Sequence, residues 1–330
     1  YPCAMLIGTL FALAAGLMWG LVFVGPLLLP DYPAAFLSFG RYVAFGLIAL
    51  PLAWMDRRRL AELERADWLE AARLGLVGNV MYYLFLASAI QRAGGPLPTM
   101  IIGTLPVVIA VCSNNRDARR DGRLPWSRLA PSLLLIAAGI GCVNQVELQA
   151  MRAQPHADAA RYAVGALLAV GAVACWTWYP IRNADWLRDH PGRSPRAWAT
   201  AQGLATLPIA LLGYLASLAW VAVAPAHAGG DFELPLGPRP WVYVGLMAAI
   251  GLLASWLGTL CWNEASQRLP TTLVGQLIVF ETLSALAYAY ALRGQWPEML
   301  TLAGIALLVV GVAWALRARP EPLAAEGHAG

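Results

Sequence analysis

The sequence contains no lysine, so its permanent positive charge is carried by arginine alone. A Walker-type phosphate loop, a pyridoxal-phosphate enzyme and a retinal Schiff-base protein each require a lysine, and these classes are therefore excluded. Charged residues make up only 13% of the 330 residues, whereas soluble domains carry roughly a quarter. Hydrophobic residues reach 59%, and the mean hydropathy is +0.58. This composition indicates a membrane protein.

The sequence also lacks clusters of metal-binding residues and the cysteine spacings that are typical of metal sites. The five cysteines show no Cys-x-x-Cys spacing, and the four histidines lie apart from one another in polar connections. No histidine or aspartate falls inside an apolar run, which argues against an intramembrane enzyme. We therefore expect a protein that is not an enzyme, with no metal, no cofactor and no nucleic-acid partner.

Ten apolar runs have lengths close to the roughly 20 residues that span a bilayer. They cover residues 5–29, 33–55, 74–90, 93–114, 129–146, 162–181, 197–223, 240–263, 269–292 and 299–316. The first run is longer than a signal-peptide core and is not followed by a small-residue cleavage site, so we interpret it as a retained helix. The sequence predicts an all-α integral membrane protein with ten transmembrane helices.

The arginines indicate how the chain is oriented. If the N-terminus is cytoplasmic, the outward connections hold only five arginines, and most of the others lie in the inward connections. The five are Arg92, Arg152, Arg161, Arg239 and Arg293. Because arginine-rich connections stay on the cytoplasmic side, both termini are predicted to be cytoplasmic.

A motif recurs in the two halves of the chain. Leu-Pro-Thr begins at Leu97 and again at Leu269, an offset of 269 − 97 = 172 residues, and Ala-x-Gln-Arg precedes both copies. Trp19 and Trp176 mark a weaker match between the first helices of the halves. Five helices is an odd number, so the second copy enters the membrane upside down, as in secondary transporters. We predict two inverted five-helix repeats, over residues 5–146 and 162–316, and a cytoplasmic tail over 317–330.

Several stretches carry a resemblance to a known family. They include "LAAGLMWGLVFVGPLLLPDYPA", "SFGRYVAFGLIALPLAW", "ASAIQRAGGPLPTMIIGTLPVVI", "WTWYPIRNADWLR" and "LIVFETL". With these the chain resembles the drug/metabolite transporter superfamily, with two EamA-type halves, and within it the YtfF-like inner-membrane branch. The resemblance implies a ten-helix permease of the bacterial inner membrane with a central cavity, exporting small metabolites or amphipathic compounds. Many relatives carry a Gly-Glu pair after the fourth helix of each repeat, and this chain lacks that pair.

Two charged residues, Arg41 and Glu281, lie inside the ten predicted spans. Counting 1.5 Å per residue, Arg41 lies about 12 Å from the outer end of its helix and Glu281 about 18 Å from the inner end of its own. In a hydrocarbon core about 30 Å thick these depths agree. A structural Arg-Glu pair is one interpretation, and a role in coupling or substrate binding is the other.

Further site residues are predicted from polar and aromatic side chains at depth. Ser284 and Tyr288 share the helical face of Glu281, which suits a cavity wall. Deep aromatic residues together with an amide suit an amphipathic ligand, although each ring alone could be packing. These residues are Trp19, Asn79, Tyr82, Tyr83, Trp176 and Trp178.

The function that these features favour is that of a secondary transporter for a small, amino-acid-like or drug-like molecule. Only one cation lies at depth, so a phosphate-bearing substrate is disfavoured. Proton coupling and facilitated diffusion both remain open. The alternatives are a channel-like pore, for which no ring of like charges is visible, and a structural membrane protein without transport.

Overall fold

The computed structural model describes residues 2–29, 31–93, 98, 101–116, 125–145, 149, 159–224, 232–294 and 296–317. Helices dominate these residues, and none of them lies in a strand. In the first half the helices are α1 (Pro2–Gly20), α2 (Val24–Leu28), α3 (Ala34–Met55), α4 (Arg57–Leu60), α5 (Arg65–Leu74), α6 (Tyr82–Ala93), α7 (Leu105–Arg116) and α8 (Trp126–Val143). In the second half they are α9 (Ala159–Asp189), α10 (Pro195–Val223), α11 (Pro240–Ile250), α12 (Gly258–Arg268), α13 (Thr271–Leu277), α14 (Val279–Arg293) and α15 (Met299–Arg317).

Six helices in the described part of the chain are long and apolar enough to cross a membrane. They are Ala34–Met55, Trp126–Val143, Ala160–Asp189, Pro195–Val223, Pro240–Arg268 and Thr271–Leu292, and Ala4–Gly20 and Met299–Ala315 are shorter apolar helices. Large apolar side chains such as Leu134 and Leu167 point outward, each 70% exposed, as a lipid-facing surface requires. The all-α membrane class is confirmed, and the number of ten spans stays a prediction.

Two of the predicted continuous helices are interrupted, which corrects the sequence interpretation. A 3₁₀ segment, Leu21–Phe23, separates α1 from α2. The run over 269–292 divides at Ile278, where backbone N–H groups bond three residues back, from Ile278 to Gly275 at 3.4 Å and from Glu281 to Ile278 at 2.9 Å. Such tighter turns break the regular helical spacing. Glu281 therefore lies in the first turn of α14, where the positive end of a helix dipole favours a carboxylate.

Two π-helices occupy corresponding places in the two halves. The first π-helix, Gly75–Met81, joins α5 to α6, and the second, Gly251–Leu257, joins α11 to α12. Their offset is 251 − 75 = 176 residues, and the Gln-Arg ends of α6 and α12 have the same offset, 268 − 92 = 176. π-helices are rare, and those that occur are often found at functional sites. Both segments are therefore candidate parts of a functional site.

The helices pack in pairs that combine the two halves of the chain. The most extensive contacts join α3 to α10, α8 to α15, α6 to α9 and α1 to α12. Glycine permits close approach of α8 and α15, because a Cβ atom on Gly139 of α8 would lie 2.8 Å from the carbonyl oxygen of Gly304 in α15. The largest apolar core forms where α1 meets α3, α11, α12 and α13.

Candidate functional site

Five aromatic rings meet where α1, α6, α9 and α12 come together. Trp19 lies 5.7 Å from Trp176 and 5.0 Å from Trp262, measured between ring centroids. Trp176 also stacks on Tyr82 at 4.9 Å and on Tyr179 at 5.1 Å. We call these five residues the aromatic cluster. The sequence predicted Trp19, Tyr82 and Trp176 as site residues, and the structure brings these three together.

Tyr179 and Trp262 were missing from the predicted site. Trp262 is 1% exposed, and its indole N–H has no hydrogen-bond partner among the described residues. A buried donor without a partner costs roughly 1–3 kcal/mol, which a bound acceptor would recover. A sequence signal for this residue exists in Gly258, one turn earlier on α12. A Cβ atom there would lie 2.7 Å from the Trp19 indole nitrogen, so glycine makes room for the contact between Trp19 and Trp262.

Arg41 is held by a residue that the sequence interpretation did not select. Its Nε donates a 2.9 Å hydrogen bond to the Ser255 hydroxyl in the second π-helix. The guanidinium also lies over the ring of Tyr42, 5.0 Å from the ring centroid. Arg41 and Glu281 influence each other electrostatically, yet no salt bridge joins them among the described residues. The structure therefore places the two predicted charges in one region without a direct ion pair.

Glu281 is half-buried in the first turn of α14. Its charge acts on the hydroxyl groups of Tyr42 and Tyr82, and Tyr82 belongs to the cluster. No side chain in the described part of the chain donates a hydrogen bond to its carboxylate. The carboxylate is thus available to bind a proton or a cationic group of a ligand.

A narrow cleft is lined in part by Arg41. Ser38 and Tyr83 line it together with Gly25 of α2 and with apolar side chains of the 3₁₀ segment, α3 and α11. The space open to a water-sized molecule is about 10 Å³, which is room for about one water. Tyr83, a predicted site residue, therefore shares a boundary with Arg41, and a larger ligand requires this cleft to widen.

Asn79 extends the polar part of the site through the first π-helix. Its amide donates to the Thr206 hydroxyl of α10 at 3.4 Å. Asn79 and Ser255 are 255 − 79 = 176 residues apart, the same offset as that between the two π-helices. Each π-helix therefore presents one polar side chain to a long helix of the other half, Asn79 to α10 and Ser255 to α3.

Three predicted site residues lie elsewhere. Ser284 packs on α1, where a Cβ atom on Gly20 would lie 2.7 Å from it, and its hydroxyl donates to the Phe280 carbonyl. Tyr288 donates to the Leu17 carbonyl of α1 at 2.9 Å. Trp178 is 36% exposed on the outside of α9. In this structure the predicted cavity wall formed by Ser284 and Tyr288 is a contact between α14 and α1.

Salt bridges join separate helices and connections at both ends of the molecule. At the arginine-rich end, salt bridges join Glu70 to Arg182 at 2.6 Å and Asp56 to Arg196 at 2.9 Å. At the opposite end, Asp31 pairs with Arg239, whose guanidinium holds the pKa of the Asp31 carboxyl below its ordinary value. No group of three or more metal-ligating side chains occurs among the residues that the structure describes.

Comparisons with known proteins place the chain in a family of membrane proteins. Residues 6–115 match the EamA-like transporter family. Inner membrane protein YtfF of Escherichia coli strain K12 is 56% identical over 317 residues, which cover 96% of this chain and 97% of that protein. Protoheme IX farnesyltransferase 1 of Natronomonas pharaonis is 32% identical over 126 residues, only 27% of its own length.

One solved structure, described as the crystal structure of a protein, superposes with a TM-score of 0.68. The match covers 93% of this chain and 96% of that one, at 19% sequence identity. At this identity the likeness concerns the fold alone.

Proposed function

The chain belongs to the EamA-like transporters of the drug/metabolite transporter superfamily, and we propose that it exports small metabolites or amphipathic compounds across the bacterial inner membrane. Membership makes it a membrane transporter rather than an enzyme. The observation that carries the rest of the proposal is the aromatic cluster with Arg41 and Glu281 at its border. The similarity to inner membrane protein YtfF supports the inner-membrane location, and export is inferred from the family resemblance alone.

The residues of the site favour an amino-acid-like or amphipathic substrate. Aromatic rings offer flat apolar surfaces, and their faces attract cationic groups. Among the described residues, the Trp262 indole is a donor without a partner and the Glu281 carboxylate an acceptor without one, and Arg41 adds a positive charge. A molecule with an apolar body and a cationic or zwitterionic head would contact all of these groups. A phosphate ester would find a single guanidinium.

Glu281 is the group that we assign to proton coupling. Its carboxylate lacks a partner in the described part of the chain, while Ser255 keeps Arg41 in a separate hydrogen bond. In one state of the cycle the carboxylate is ionised and contacts Arg41 or the substrate, and in the other it is protonated. Substrate would then leave as a proton enters.

We assign the two halves, residues 5–146 and 162–316, to inverted repeats, with residues 317–330 as a cytoplasmic tail. The equal offsets of the two π-helices and of the Gln-Arg helix ends support this assignment. The pairing of α1 with α12 and of α6 with α9 supports it too, because each pair joins the first helix of one half to the third of the other. A site between such repeats becomes exposed to either side when one half rocks against the other.

Reconstitution of the purified protein into liposomes tests the proposal. Uptake of amino acids, polyamines and lipophilic cations is compared with and without a pH gradient. For a transported compound, we expect Glu281→Gln to abolish gradient-driven accumulation and to keep downhill exchange. Glutamine preserves the size and hydrogen bonding of the side chain but cannot release a proton.

Glu264→Gln is the matched control, because the Glu264 carboxylate already has a partner, Arg268, on the same helix and is not assigned to coupling. Undiminished accumulation by Glu281→Gln with an unchanged pH dependence would show that the coupling role is wrong. Wild-type protein that transports none of the compounds would favour a structural role, and uptake that never saturates would favour a channel-like pore.

A further inference from the structure

A basic cleft lies at the arginine-rich end of α3, outside the site described above. Helix α3 ends at Met55, and Asp56 is followed by three consecutive arginines, Arg57, Arg58 and Arg59, all exposed. These five residues line an open cleft of about 300 Å³. We call residues 55–59 the basic cleft.

The three arginines keep their charge without a carboxylate partner among the described residues. The one acid of the cleft, Asp56, is buried and forms its salt bridge with Arg196, at 2.9 Å. Arg57 donates to the Trp54 carbonyl at 2.9 Å, and Arg59 donates to the Ser194 hydroxyl at 3.1 Å. These two bonds fix the guanidinium groups and leave most of their N–H donors free, since each group carries five. The cleft is therefore a concentrated, partly ordered positive surface.

An apolar strip continues from this cleft along α3. Leu47, Leu50 and Trp54 follow at spacings of three and four residues, so they share one face of the helix. All three are exposed, Trp54 by 71%. The Arg57 guanidinium lies over the Trp54 ring, 5.1 Å from its centroid, so the end of the strip adjoins the positive charge. Tryptophan and arginine in such a position are typical of the interface between membrane and water.

We propose that the basic cleft binds the headgroup of an anionic phospholipid from the leaflet on this side of the membrane. The phosphate contacts the three arginines, and an acyl chain lies along Leu47, Leu50 and Trp54. A free phosphate would use only the charged half of this surface, and a zwitterionic lipid would bring a cation against the arginines. Charge complementarity and the adjoining apolar strip thus select an anionic lipid.

Native mass spectrometry of the full chain in detergent tests this site. Phosphatidylglycerol and phosphatidylcholine with identical acyl chains are compared as probes. We expect the wild type to retain phosphatidylglycerol preferentially. The variant R57Q/R58Q/R59Q should lose tenfold or more of that preference, because each arginine near a lipid surface contributes roughly fivefold.

R65Q/R128Q/R317Q is the charge-matched control, because these three arginines are exposed but scattered and should leave the preference intact. Arg58→Gln alone should lose roughly fivefold, and it keeps the proposal testable if the triple variant fails to fold. Equal retention of phosphatidylglycerol by wild type and Arg58→Gln would overturn the site. Full displacement of the lipid by an equal concentration of glycerol phosphate would also overturn it, since a soluble phosphate ester would then be the better ligand.

Discussion

Trp176 and Trp178 stand two positions apart on α9, and the structure gives them opposite surroundings. The Trp176 ring lies between Trp19, Tyr82 and Tyr179 in the aromatic cluster. Trp178 faces outward, where lipid would cover it. Both were predicted as site residues from their depth in the same apolar run. Their comparison separates a role in substrate binding from a general effect of losing a tryptophan.

Trp176→Ala should weaken the apparent affinity for a transported compound by roughly two- to tenfold. This range corresponds to the loss of one aromatic pair, about 0.5–1.5 kcal/mol. Trp178→Ala should leave the affinity unchanged. Concentration-dependent uptake into liposomes measures both, after size-exclusion chromatography has shown that both variants are folded. Equal losses in the two variants would mean that the aromatic cluster is a packing core.

The two π-helices are the elements that connect the charged part of the site to the opposite half. The second π-helix holds Arg41 through Ser255, and the first contacts α10 through Asn79. A π-helix widens one turn and turns side chains away from the regular 3.6-residue spacing. Periodicity in the sequence could therefore predict both helices but not the direction of Asn79 and Ser255 within them.

Ser255→Ala should shift the pH dependence of transport toward acid. Without the serine hydroxyl, Arg41 is free to approach Glu281 and to favour its ionised form, so a lower pH is needed to protonate the carboxylate. Among the described residues, the other titratable groups that interact electrostatically with Glu281 are the hydroxyls of Tyr42 and Tyr82, and a tyrosine ordinarily ionises near pH 10. Transport rates in liposomes between pH 5 and 8 measure the shift.

Asn79→Ala is the control for Ser255→Ala, since it removes the corresponding polar contact from the other π-helix. We expect it to change the transport rate without moving the pH profile. A profile that moves equally in both variants would contradict the positioning role of Ser255, because the effect would then come from loosening the π-helices.

At the scale of the whole molecule, the arginine distribution predicts the orientation of the chain in the membrane. Reporters fused after Arg120, Arg193 or Arg319 should read cytoplasmic, and reporters within residues 226–237 should read external. Arg120, Arg319 and residues 226–231 lie outside the described residues, so these fusions test the orientation independently of the structure. A cytoplasmic signal from residues 226–237 would contradict the inverted repeat.

The salt bridge between Asp31 and Arg239 lies at the end opposite the arginine-rich one. Because Arg239 lowers the pKa of Asp31 from its ordinary value of 3.8, the stabilising charge is complete above that value. It is lost only as the pH falls through the lowered pKa. Asp31→Asn should therefore change the transport rate by the same factor at every pH from 5 to 8. A selective loss at one end of this range would show that Asp31 takes part in proton coupling.

The sequence alone determined the class of the protein. A bilayer requires each spanning helix to be apolar and favours arginine in the cytoplasmic connections. These requirements apply to each helix separately, so they can be recognised in the sequence as low charge, long apolar runs and an uneven distribution of arginine. The recurrence of Leu-Pro-Thr and of Ala-x-Gln-Arg predicted two related halves without any knowledge of contacts. The depth of a residue in the membrane could likewise be estimated by counting residues from the end of its helix. This estimate placed Arg41 and Glu281 at similar depths.

Only the tertiary structure decided which side chains meet. Helical periodicity predicts a face, but the partner of that face depends on how closely two backbones approach. Gly20 lets α14 come near enough to cover Ser284, and Gly258 lets Trp19 reach Trp262. The Arg41 side chain turns to Ser255 because the second π-helix presents the hydroxyl there, 214 positions away along the chain. Contacts between distant segments produce no periodic pattern in the sequence, so only the packed structure shows them.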